Sequence, residues 1–190
     1  DSTPPFNEDQ PTERPLSPYA ASKKAAEELC YSYHRLYGID VIVLRFFTVY
    51  GPAGRPDMSV FRFIRWVAEG EPVTLYGDGS QKRDFTFVDD VARGVRAALA
   101  PRPGFHIVNL GSDRPLSLTD LIRLIEQGLG RKAVIDQQPF QPADVRITWA
   151  DISRARQLLG WEPQVPIEEG IAASVRWHRD NRDWAKDLAL

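Results

Sequence analysis

Residues 17–47 read SPYAASKKAAEELCYSYHRLYGIDVIVLRFF. Ser17 can accept from a free backbone N–H, and Pro18 suits the first helical position, where its missing N–H has no partner to lose. The helix predicted from there runs to about Tyr37 and stops at Gly38, the residue best fitted to a left-handed cap. Only Ile39 and Asp40 separate it from the apolar run VIVLRFF. A continuous apolar strand directly after a helix points to a parallel strand covered on both faces.

The alternation continues downstream. A helix over about Ser59–Ala68 precedes a short strand VTLY, a turn GDGSQ and a strand RDFTFV. Val91, Ala92, Val95, Ala98 and Leu99 form the next helical stripe, with Asp89 and Asp90 well placed for the positive end of the helix dipole. HIVNLG is a further short buried strand, and Ser117 with Asp120 forms a capping box for the helix carrying Leu121, Ile122, Leu124 and Ile125. Helices over roughly Ile152–Leu159 and Ile167–His178 follow, the first ended by Gly160. Upstream, residues 1–16 carry four prolines and several acids and are expected to be an extended surface loop with nothing to add to a core. The predicted class is α/β, without internal repeats.

Composition narrows the function. The chain has 190 residues, 43% hydrophobic and 26% charged, with a formal net charge of -2. That is an ordinary globular balance, and it gives no electrostatic case for nucleic acid or an anionic membrane. No apolar run approaches the ~20 residues that cross a bilayer. The single cysteine, Cys30, cannot form an internal disulfide, so a reducing cytoplasm is expected. Three scattered histidines, His34, His106 and His178, make no zinc-spaced cluster, and no metal is expected.

A dinucleotide-binding domain needs a glycine-rich turn between a strand and a helix, so that phosphates can reach backbone N–H groups. GPAG at 51–54 lacks the spacing, and GDGSQK at 77–82 leads into a strand. Chemistry is suggested instead by Tyr19 and Lys23, four apart on one helix face. Making a phenol a useful base at neutral pH takes about 4 kcal/mol. One ammonium at about 4 Å supplies roughly that much at an effective dielectric of ~20. The bare spacing arises by chance too often to decide anything alone. The stripe it begins, however, continues through Ala26, Cys30, Tyr33 and Tyr37, which predicts that both residues start an inward-facing apolar face.

SPYAASKKAAEEL, LRFFTVYGP, GRPDM, VTLYGDGSQKRDFTFVDDV, VNLGS and ADVRITWAD follow one another in an order that resembles the NAD-dependent nucleotide-sugar epimerases and dehydratases, extended members of the short-chain dehydrogenase/reductase group. The resemblance spans essentially the whole chain and is nearest to UDP-glucuronate 4-epimerases. It implies that the glycine-rich fingerprint, the first strands and a catalytic Ser/Thr would precede Asp1. It also implies a partial Rossmann-like parallel sheet from 17–48 and 86–112, and a small α/β substrate lobe from 49–85 and 113–190.

By the same resemblance Tyr19 is the catalytic base. Lys23 is its partner and holds the nicotinamide ribose of NAD, and Phe47 lies near the nicotinamide. Arg83 matches a diphosphate-binding arginine, Thr74 and Tyr76 flank the uracil, and Asp144 binds the uridine ribose. Thr48, Arg55 and Ser59 face the sugar, with Thr48 and Arg55 suited to a uronate carboxylate. Gln141 stands where galactose epimerases often carry a second phosphate-binding arginine. On the residues alone, Arg83 can equally pair with Asp84 or Asp78, Tyr76 can be core, and Asp144 can cap a turn. The expected reaction is 4-epimerisation of a UDP-sugar through a 4-keto intermediate, with little or no activity from these 190 residues by themselves. A dehydratase, decarboxylase or reductase of nucleotide sugars, or a non-catalytic nucleotide-sugar-binding module, remains open. A homodimer, or association with a missing N-terminal segment, is expected.

Overall fold

The computed structural model describes residues 3–141 and 145–189. Helix α1 (Pro18–Tyr37) starts and stops where its caps dictate: the Ser17 hydroxyl accepts from the Ala20 N–H, and Gly38 adopts φ 65°. Strand β1 (Val41–Phe46) follows and pairs in parallel, residue for residue, with β5 (Phe105–Leu110). Between them lie β2 (Thr48–Tyr50), α2 (Ser59–Glu69), β3 (Pro72–Tyr76), β4 (Lys82–Phe87) and α3 (Val88–Ala98). After β5 come β6 (Pro115–Ser117), α4 (Leu118–Leu129), β7 (Val134–Gln138), α5 (Ser153–Leu159), α6 (Ile167–Asp180) and α7 (Arg182–Ala185). The class is α/β.

Three small sheets result among the described residues: β1–β5, β2–β4–β6 and β3–β7. β2 runs parallel to β4, β4 antiparallel to β6, and β3 parallel to β7. The larger core packs α2, α4 and α6 over β3 and β4, with Phe63, Ile64, Val67, Val73, Phe85, Leu121, Ile125 and Ile171 buried in it. A second core joins Val108 and Leu110 of β5 to Ala98 of α3, Ala155 and Leu159 of α5, and Trp161. The cap of α4 differs in detail from a capping box. The Ser117 hydroxyl accepts from the Asp120 N–H and itself donates to the Asp120 carboxylate at 2.7 Å, the shorter aspartate meeting the hydroxyl rather than the backbone.

Two expectations fail here for identifiable reasons. Residues before Ser17 do contribute to the interior. The Phe6 N–H donates to the Trp149 carbonyl, while the Phe6 carbonyl accepts from the Asp151 N–H and the Asn109 side chain. Glu8 is buried, and its carboxylate accepts from the Asn109 N–H at 2.8 Å. An extended, proline-punctuated segment can supply edge hydrogen bonds as a strand does, and composition alone conceals that. The strand at 41–46, expected to be covered on both faces, is only half-buried through Arg45, with Phe46 exposed. Only β5 flanks it among the described strands.

A buried carboxylate joins the two cores. Asp84 of β4 is fully buried and accepts from the N–H groups of Ser112, Asp113 and Ala150 and from the Thr86 hydroxyl. Its own N–H donates to the Thr148 hydroxyl.

Candidate active site

Tyr19 and Lys23 sit on the first two turns of α1, on one face, with the Lys23 ammonium 5.4 Å from the centre of the Tyr19 ring. They line an open hollow between α1 and β1, together with Arg14, Cys30, Arg45 and Phe46. The surroundings differ from the expected inward stripe. Tyr19 is 71% exposed, and Tyr33 and Tyr37 are exposed as well. The half-buried positions of α1 are instead Ala20, Lys24, Glu27, Cys30 and His34. Specific contacts fix this rotation. Arg45 of β1 reaches Glu27 with two hydrogen bonds of 2.7 and 2.8 Å, and Tyr31 and His34 lie against the Phe105 ring. The hydrogen bond from Arg45 holds the Glu27 carboxyl below its usual range and lifts the guanidinium in return. Tyr19 and Lys23 therefore face the hollow rather than the core.

The other expected residues follow a line of adjoining hollows. A second one shares Arg14, Arg45 and Phe46 with the first and adds Phe47, Thr48 and Asn109. Phe47 is half-buried against the second core, and its N–H donates to the Leu110 carbonyl. A third begins at Thr48 and takes in Arg55, Ser59 and the buried His178. Arg55 is held in plane by Asp57 through contacts of 2.9 and 2.6 Å; that hydrogen bonding raises the guanidinium and lowers the carboxyl, and the phenol of Tyr19 lies within electrostatic reach of Arg55. The fourth hollow begins at Ser59 and gathers Thr74, Tyr76 and Arg83.

Tyr76 is exposed rather than core, and Asp78 is occupied by the backbone N–H and hydroxyl of Ser80. Asp84 faces backbone donors, as above. Arg83 donates to the Lys82 carbonyl at 2.9 Å. Asp144 lies outside the described residues.

Sequence reasoning passed over Arg62 and His178 on this line. Arg62 lines the fourth hollow and stacks over Trp66, four residues on, so the helical spacing was the available signal. His178 is buried beside Phe61, with its Nε2 unpartnered among the described residues, and burial pushes its imidazole below its ordinary value. Its position at the end of an apolar helical stripe gave no hint of a hollow.

The residues present fit one end of a dinucleotide. A phenol and an ammonium facing an open cleft offer donors that suit a ribose. The two glycine turns fit the phosphate end poorly: Gly77 and Gly79 lead from β3 into β4 rather than into a helix, and the turn at 51–54 lacks the spacing of a phosphate cradle. Among the described residues, no group of three or more His, Cys, Asp or Glu is placed to hold a metal ion, and no helix is long and apolar enough to cross a membrane.

The chain is 52% identical over 189 residues to UDP-glucuronate 4-epimerase of Thermodesulfobacterium geofontis, covering 99% of this chain and 58% of that protein. It is 38% identical to UDP-glucuronate 4-epimerase 1 of Arabidopsis thaliana, across 92% of this chain and 44% of that one. Among solved structures, the UDP-glucuronic acid 4-epimerase of Bacillus cereus in complex with UDP-glucuronic acid and NAD superposes with a TM-score of 0.89 at 38% identity, over 95% of this chain and 58% of that chain. The chain thus spans 44% to 58% of the length of these relatives. The model of the NAD dependent epimerase/dehydratase family matches residues 1–111, more than half of the chain, and the chain belongs to that family.

Proposed function

We propose that this chain is the substrate-binding and proton-transferring part of an NAD-dependent UDP-sugar 4-epimerase of the uronate type. The observation that carries the reading is a row of adjoining hollows, neighbours sharing lining residues, from Tyr19 and Lys23, past Thr48, Arg55 and Ser59, to Thr74, Tyr76 and Arg83. Base, sugar loop and nucleotide residues lie along it in the order a UDP-sugar would need.

In this reading Tyr19 takes the proton of the sugar C4 hydroxyl. Lys23 makes the resulting phenolate affordable and holds the ribose of the dinucleotide. Bound ligands would exclude water from a pair now open to it, and the ammonium's attraction strengthens as the effective dielectric falls. Phe47 lies beside the same cleft as a flat apolar wall. NAD, when bound, supplies the two-electron acceptor that removes the C4 hydrogen and later returns it. The sugar in between is a 4-ketone, whose planar carbon can be approached from either face, and Tyr19 then gives its proton back to the C4 oxygen. Thr48 and Arg55 hold the uronate carboxylate by hydrogen bonding and charge, and Arg83 holds the diphosphate, where a guanidinium fork matches two oxygens.

The relatives' names support the substrate class: UDP-glucuronate 4-epimerase for the T. geofontis protein, and bound UDP-glucuronic acid and NAD for the B. cereus structure. The 190-residue chain with NAD+ and UDP-glucuronate is expected to turn over little, because neither of its glycine turns makes the strand-to-helix cradle that a dinucleotide's phosphates need. The test joins the N-terminal part of the T. geofontis relative to this chain and follows UDP-glucuronate by chromatography. Formation of the C4 epimer, lost by roughly 10²–10⁴-fold in Tyr19→Phe, supports the reading. A folded chimera that forms no epimer sinks it.

A further inference from the structure

Arg45 stands where the base-bearing helix meets the strand that leads to the sugar. Its backbone belongs to β1 and runs directly into Phe46, Phe47 and Thr48. Its side chain reaches Glu27 of α1 with two hydrogen bonds of 2.7 and 2.8 Å. Both side chains are largely shielded, at 21% exposure for Arg45 and 12% for Glu27, so water competes weakly for this charge-assisted pair. The same guanidinium donates to the Glu8 carbonyl at 3.4 Å, which ties in the segment before α1. Arg45 also lines two adjoining hollows, the one with Tyr19 and Lys23 and the one with Phe47 and Thr48.

Glu27 lies one helical turn beyond Lys23 and two beyond Tyr19. Among the described residues, the side chains of α1 hydrogen-bond to another element only at Glu27, and no residue of the helix is buried. The ring contact of Tyr31 with Phe105 comes more than three turns past Tyr19, roughly 18 Å along the axis. It fixes the far half of the helix and leaves the rotation of the first turns to Glu27. A two-pronged fork suits that task, because it fixes an angle as well as a distance.

We infer that Arg45 is a positioning residue for proton transfer: acting through Glu27, it sets how Tyr19 and Lys23 meet the cleft at Phe47 and Thr48. This rests on the nucleotide-sugar reading above. The residues that move the proton and the residues that face the sugar are thereby referenced to one side chain. A displacement of about 1 Å at a reacting group costs roughly 10²-fold in rate. Thr74, Tyr76 and Arg83, by contrast, line a hollow that Arg45 does not reach. Loss of the Arg45–Glu27 contact therefore falls on turnover and spares substrate binding.

The chimera with the T. geofontis N-terminal part tests this, carrying Arg45→Met, Arg45→Lys, Glu27→Ala, or Arg45→Met with Glu27→Ala. Epimer formation is followed across pH, giving kcat and the KM for UDP-glucuronate. The expected result is kcat lowered about tenfold or more in Arg45→Met and in Glu27→Ala, with KM within about twofold of the parent and Arg45→Lys in between. The rising limb of the kcat profile moves up by about half a pH unit, the equivalent of about 1 Å added between phenol and ammonium at an effective dielectric of ~20. The double variant loses no more than either single one, because both remove the same contact.

Unchanged kcat in a folded Arg45→Met chimera overturns the inference and leaves the nucleotide-sugar reading standing. So does a lowered kcat with an unmoved limb, which a mere brace would give, or an effect confined to KM. A loss in Arg45→Met that Glu27→Ala does not share, or losses that multiply in the double variant, makes Arg45 a ligand contact and also overturns it. A folded parent chimera that forms no epimer removes both. Should Arg45→Met lose its near-ultraviolet tertiary signal, Glu27→Ala decides: lowered kcat with a raised limb and steady KM upholds the inference, and any other outcome overturns it.

Discussion

His178 and Tyr19 show opposite ways in which one side chain answers to its surroundings. His178 is buried, with its imidazole pushed below the ordinary value chiefly by desolvation. The folded state thus prefers the neutral ring, and the unfolded chain binds the extra proton. Stability on this account is fully present above the ordinary imidazole value and falls as pH drops through about 6.5. The thermal midpoint is expected to decline from pH 8 to pH 5.5, and His178→Gln should flatten that slope; a slope equally steep in the variant would rule the effect out. Tyr19, by contrast, faces an open cleft, and its pairing with Lys23 was legible because a four-residue spacing on a helix is local information. Arg62 and Trp66 have the same spacing but were missed, since an arginine on an amphipathic helix ordinarily reads as solvated. The burial of Asp84 was illegible for a different reason. Its donors at Ser112, Asp113 and Ala150 lie far along the chain, and no local pattern encodes such a meeting.

Helix α1 illustrates how an element can be well formed yet lightly attached. Its caps are those the sequence announces, but none of its residues is buried. Its main polar attachment is the two-pronged contact of Glu27 with Arg45. Glu27→Gln is expected to free the helix, with amide exchange of residues 19–37 rising by an amount equivalent to about 2 kcal/mol and the core strands changing less. Uniform change across the chain would contradict that. The long elements were readable because their apolar periods and caps are self-contained. β2, β6 and β7 were not, being short or polar and defined by pairing to distant partners. The apolar stripe of α1 does not mark its packed side, because Arg45, Glu27 and the Phe105 ring set the rotation.

Taken as a body, the molecule leaves apolar surface uncovered. Leu29, Tyr33, Leu36 and Tyr37 are exposed on α1, and β1 has a neighbour on one side only among the described strands. Such a face and edge favour pairing, and we propose that it takes a second copy of this chain. Sedimentation should show concentration-dependent dimers that Leu29→Lys with Leu36→Glu converts to monomers; an unchanged distribution would remove the α1 face from consideration. Asp84→Asn, which turns an anionic acceptor into a group that also carries hydrogens, should lower the free energy of urea unfolding by about 3 kcal/mol. The same carboxylate has a kinetic corollary. Neither β4, nor the bend at 111–113, nor the stretch entering α5 can settle alone, since an anion stripped of water and short of donors is prohibitive. Their closure is therefore coupled, and the amide protons of Ser112, Asp113 and Ala150 should trade with deuterium in concert, as if governed by one latch.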